Sequence, residues 1–121
     1  MKKLLMFGLV AILFASTGIV NAASPAYGAA GAAAVAEADL TLNSMLTFAL
    51  EDEYLARGEY RKIMDKLGER RPFSNIIKAE EQHIAWLVPL LENHDTAIPA
   101  DRGLELAQVP ENFAEALQAG V

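Results

Sequence analysis

The sequence predicts an all-α protein built on an antiparallel pair of long helices, with a short third helix near the C-terminus. Three observations predict it. Apolar residues recur at helical spacing over about 41–67 and again over about 72–93. Only the pentapeptide GERRP (68–72) separates the two stretches, and so short a connection makes the helices antiparallel neighbours. No alternating apolar–polar run marks a strand, and no tandem repeat is present.

The first segment stands apart from this fold. Lys2 and Lys3 precede an uncharged apolar run over residues 4–20, and Val20-Asn21-Ala22 gives the small-x-small pattern of a signal-peptidase site. Residues 1–22 therefore read as a signal peptide, which makes the mature protein secreted or periplasmic. The alternative is a retained anchor, but Ser16, Thr17 and Gly18 weaken the run and no basic stop-transfer flank follows it. No cysteine follows the cleavage point, which excludes a lipoprotein anchor. Cleavage after Ala22 leaves 99 of the 121 residues and takes the formal charge from −6 to −8. An acidic chain of that size is one small domain, poorly suited to nucleic acid or to anionic lipid. No membrane contact is expected once the signal is removed. The absence of cysteine from the whole sequence excludes disulfide staples, zinc–thiolate sites and iron–sulfur clusters. A small domain without staples needs a good helical core, a metal or a partner.

Residues 23–39 are mostly alanine and glycine, and read as a flexible leader with helical tendency toward Ala34. The helical domain spans 40–121. Its first long helix starts after Thr41 as N-cap and stops at Gly68. Gly58, inside it, marks either a close crossing or a tolerated surface position. Pro72 suits the first turn of the second helix, and Pro89 removes one backbone bond near its end. Residues 94–110 read as loop, punctuated by Pro99, Gly103 and Pro110. Asn112 and Glu115 then have capping-box spacing at the start of the third helix.

The chemistry lies where carboxylates interrupt the apolar stripes. Leu46, Leu50, Glu53, Tyr60 and Met64 share one helix face; Ile76, Glu80, His83, Leu87 and Leu91 share the other. Burying an unpaired carboxylate costs several kcal/mol or more, so a bound cation is a natural neutraliser. Glu80 and His83, at i and i+3, can point at one ion, with Glu53 arriving from the facing helix. Carboxylate oxygen with one imidazole nitrogen suits iron, manganese or zinc rather than calcium or copper(I). The Tyr60 hydroxyl, on the Glu53 face, is placed to hydrogen-bond a ligating carboxylate. The competing reading is ion pairing, Glu53 with Arg57 or Arg61 and Glu80 with Lys78. Glu51, Asp52, Glu59 and Glu81 fall off the stripes and read as solvated charge, although a small change of helix phase would favour Glu81 as a ligand. His94 reads as a helix-end histidine complementing the dipole, Trp86 and Phe73 as core or interface, and Met45 and Met64 as core.

At these residues the chain resembles the ferritin-like superfamily. EYLARGEY (53–60) is similar to the Glu-x6-Tyr segment of rubrerythrin-like proteins, and Glu80 with His83 to their Glu-x-x-His. LEDEYLAR (50–57), FSNII (73–77) and AEEQH (79–83) together look most like a group of uncharacterised bacterial ferritin-like proteins that share a domain of unknown function. The likeness covers about residues 40–95 and continues weakly into FAEALQAG (113–120). It implies half of a four-helix bundle with a carboxylate-bridged di-iron or manganese centre. Glu53, Glu80 and His83 are the implied ligands and Tyr60 the hydrogen-bonding group behind them. Ferroxidase or peroxidase chemistry follows from the same resemblance. The family's remaining Glu and its second Glu-x-x-His have no counterpart up to Val121. Either they lie in a longer product, or two chains pair as a homodimer or higher homo-oligomer and complete the site between them. The alternative to all of this is a metal-free helical interaction module of the same fold.

Overall fold

The computed structural model describes residues 27–119. The signal segment 1–22 and the start of the leader, 23–26, lie outside the described residues. The described residues are helical without strands: α1 Gly28–Ala34, a 3-10 turn at Glu37–Asp39, α2 Leu42–Leu67, α3 Phe73–Asn93, α4 Gly103–Leu106 and α5 Phe113–Ala119. None of these helices is long and apolar enough to cross a membrane.

The ends of the long helices follow from local chemistry. Thr41 Oγ1 accepts from the Ser44 amide at 3.1 Å, and Ser44 Oγ accepts from the Thr41 amide at 2.9 Å. This reciprocal pair satisfies two of the donors that a helix start leaves open. At the other end Gly68 takes φ 86° and its amide donates to the Met64 carbonyl at 2.8 Å. α3 runs through Pro89 and ends in a Schellman turn. There the Thr96 amide donates to the Leu91 carbonyl, and the Asp95 amide to that of Glu92. Asp95 occupies the left-handed position usually given to glycine, with φ 51°. α5 begins as expected at Asn112, whose Oδ1 accepts from the Glu115 amide at 3.0 Å. Glu115 reaches the Glu111 amide instead of that of Asn112, so the box closes one residue early.

α2 is the spine of the molecule, packing against α3, α4 and α1. Two oily clusters hold it in place. One joins Tyr27, Leu50, Tyr54 and Leu91, with Leu46, Ile84 and Leu87 against them. The other joins Tyr60, Ile63, Phe73 and Ala116, with Met64, Ile76 and Phe113 against them. The acid-bearing stretch of the α2–α3 seam lies between the two.

Two segments differ from the sequence expectation. From Tyr27 onward the Ala/Gly-rich stretch is docked on α2 and is not a loose leader. The Gly28 and Ala29 amides donate to Glu51 Oε2 at 2.9 Å and Asp52 Oδ1 at 3.3 Å. The Tyr27 hydroxyl donates to the Ala100 carbonyl and accepts from the Arg102 amide, each at 3.0 Å. Residues 94–110 likewise return along α2. Lys62 and Lys66 donate to the carbonyls of Ala107 and Pro110 at 2.8 and 3.1 Å. Gly58 meets Gly103 backbone to backbone: a Cβ on Gly58 would sit 2.4 Å from the Gly103 carbonyl carbon. The glycine therefore marks a close crossing, with α4 as the partner.

Candidate metal centre

The period of α2 turns Glu53 into the seam, and the i, i+3 spacing on α3 turns Glu80 and His83 to meet it. His83 Nδ1 lies 3.2 Å from Glu53 Oε2 and 3.5 Å from Glu80 Oε2. One ligand atom from each of the three falls within 4.8 Å of the other two. Ligands about 2.1 Å from a transition-metal ion sit roughly 3.0 Å apart at a right angle and roughly 3.4 Å apart at a tetrahedral angle. The imidazole-to-carboxylate spacings therefore suit ligation of one cation from one side. The two carboxylates are largely enclosed, at 16% and 10% side-chain exposure, while the His83 ring is 40% exposed. The group is thus open toward solvent on the histidine side.

The competing ion pairs are not made. Arg57 pairs with Asp101, and Arg61 with Glu81 at 3.4 Å. Among the described residues no lysine or arginine pairs with Glu53 or Glu80. Glu53, buried beside Glu80 with no lysine or arginine among the described residues against it, holds on to its proton. The Glu53 carboxyl is raised well above its ordinary range, first by burial, then by the hydrogen bond and charge of Glu80, with Asp52 adding to it. Asp52 is raised as well, by burial and by the charge of Glu80, against the lowering effect of the Ala29 amide. A divalent cation would displace that proton and satisfy both carboxylates at once.

Tyr60 is on the expected face and fully buried, its ring tilted against that of Phe73 with centroids 6.0 Å apart. Its hydroxyl makes no hydrogen bond among the described residues, so the expected bond to a ligating carboxylate is not formed. Burial raises this phenol, and the charges of Glu80 and then Glu59 raise it further, so the hydroxyl lies in the field of both.

Several off-stripe residues behave differently from expectation. Glu59 is not solvated: it is only 8% exposed, and burial with the nearby Asp52 charge pushes its carboxyl up to about 8. Glu51 and Asp52 accept the α1 amides, and Glu81 is turned to Arg61. Met45 is 53% exposed and Trp86 50% exposed, so neither is core, whereas Phe73 and Met64 belong to the second cluster. The Trp86 ring lies 5.8 Å from that of His83. His94 caps α3, its amide donating to the carbonyls of Leu90 and Leu91.

Comparison with protein-family models, with curated proteins and with solved structures returned no match.

Proposed function

We propose that this is an exported ferritin-like metal-binding protein in which Glu53, Glu80 and His83 hold iron or manganese. Residues 1–22 serve as its export signal. The observation that carries the reading is the convergence of two carboxylates and one imidazole, with no lysine or arginine among the described residues paired to the acids. Three protein ligands from one side leave the opposite side of an ion open. A second copy of the chain, presenting the same three residues across a two-fold axis, completes a carboxylate-bridged pair. The exposed Leu42, Met45, Trp86 and Leu90 supply apolar surface for that contact.

An iron pair held by Glu53, Glu80 and His83 would supply redox chemistry toward dioxygen or peroxide, which makes the proposed reaction class ferroxidase or peroxidase. The chain's own contribution is positional. Glu53 and Glu80 fix ligand number, and Glu53 surrenders the proton that burial makes it hold when a cation enters. The oily clusters on either side keep the carboxylates out of bulk water, and His83 stands at the open, solvent-facing side.

The test is metal content and melting temperature of purified mature protein and of Glu53→Ala and His83→Ala. The reading expects about one tightly bound iron or manganese per chain in the parent, lost in both variants. It fails if the parent carries no metal and melts at the same temperature with or without it. That outcome would favour the metal-free interaction module.

A further inference from the structure

We propose that Trp86 is a positioning residue of the metal centre: its indole ring braces the His83 imidazole so that Nδ1 stays turned toward Glu53 and Glu80. The inference rests on the cation reading of the site and names what steadies the one ligand that burial does not.

The three candidate ligands are not held alike. Glu53 and Glu80 are enclosed in the α2–α3 seam, at 16% and 10% side-chain exposure, whereas the His83 side chain is 40% exposed. Close packing leaves an enclosed side chain little room to change rotamer. A half-exposed imidazole on a helix lacks such walls and can swing between staggered positions. Freezing that motion when an ion binds counts against affinity. Yet Nδ1 is held inward, 3.2 Å from Glu53 Oε2 and 3.5 Å from Glu80 Oε2. A proton between Nδ1 and a carboxylate can hold the ring only while the site is empty. A cation takes the Nδ1 lone pair and leaves no proton there, so that restraint ends when the ion enters.

The indole remains. Trp86 is three residues beyond His83, so the two side chains are neighbours on the surface of α3. Their ring centroids are 5.8 Å apart with planes 38° from parallel, inside the range of about 4.5–7 Å at which ring pairs attract. Trp86 is half exposed and lies outside both oily clusters, so filling the core does not account for this large ring. A rigid ring with two side-chain torsions steadies a neighbour at small entropic cost. The indole face is also electron-rich, and it attracts an imidazole more strongly once that ring carries positive charge from a bound ion. The contact therefore survives loading of the site.

The test uses the full mature chain, in which Trp86 is the only tryptophan and His83 is one of two histidines. Manganese(II) is titrated while tryptophan emission and bound metal are followed together. Emission of the parent should be quenched in step with binding, and emission of Glu53→Ala should not. Trp86→Ala should bind manganese about three- to tenfold more weakly, and Trp86→Phe, which keeps a ring, within about twofold of the parent. Nitrogen-15 spectra of the zinc-loaded protein read the ligating atom of His83. We expect Nδ1 alone in the parent and in Trp86→Phe, and a mixture of Nδ1 and Nε2 in Trp86→Ala. Melting of the metal-free variants checks that each is folded. Parental manganese affinity in Trp86→Ala overturns the inference and leaves the centre standing. Weaker binding with zinc still on Nδ1 alone also overturns it, because the loss is then structural. No manganese bound by the parent overturns both this inference and the cation reading.

Discussion

Glu59 shows how a single acid reports on its surroundings. Its folded-state carboxyl titrates near 8 against an ordinary value of 4.5, because burial and the Asp52 charge disfavour the anion. The folded state then binds more protons than the unfolded state between those values, so stability falls as pH rises through that window. We predict that metal-free protein loses several kcal/mol between about pH 5 and pH 8. Glu59→Gln should flatten that slope, as measured by urea unfolding across the range. Arg57 supplies a contrast. It pairs with Asp101 and not with Glu53, so Arg57→Ala should cost about 0.2–1 kcal/mol of stability and leave manganese affinity within twofold of the parent. The Glu53–Glu80–His83 group was legible in the sequence because all three lie on stripes that face each other. Glu59 was not. A helical stripe is drawn against one partner, whereas α2 touches α1, α3 and α4 and so has no single solvent face.

At the scale of elements, the two long helices were legible almost to the residue. Thr41 and Gly68 set the limits of α2, and the 3.6-residue period set its face. What the period could not carry was the return of residues 94–110 along α2. That packing depends on Gly58 and Gly103, which are far apart in sequence and have no side chains to form a pattern. Gly58→Ala tests it by sign. On an open helix surface alanine would stabilise by about 1 kcal/mol. Here the new Cβ meets backbone at 2.4 Å, and we predict a loss of about 1–3 kcal/mol in chemical unfolding. The docking of α1 was equally hidden, because its backbone amides make the bonds to Glu51 and Asp52. Tyr27 anchors that segment to the Ala100–Arg102 strap with two hydrogen bonds. Tyr27→Phe should therefore destabilise by about 1–2 kcal/mol and raise amide exchange in both α1 and α4 together.

For the whole molecule, the arrangement is a spine helix with acids on two adjoining faces, enclosed by oil at both ends of the seam. Such a body carries electrostatic tension, which on the proposed reading a cation relieves. Protons and cations compete for the same carboxylates, and Glu53 holds its proton above the ordinary range. Added manganese should therefore raise the melting temperature more at pH 8.5 than at pH 6. The stabilisation should reach about 2.7 kcal/mol once free metal is a hundredfold above its dissociation constant. The most direct measurement is anomalous diffraction at the manganese edge from crystals grown with manganese(II). The account predicts a peak about 2.0–2.3 Å from carboxylate oxygens of Glu53 and Glu80 and from a His83 nitrogen. A map with no peak there, with Glu53 and Glu80 hydrogen-bonded to each other in a crystal that carries manganese only on exposed acids, would contradict it.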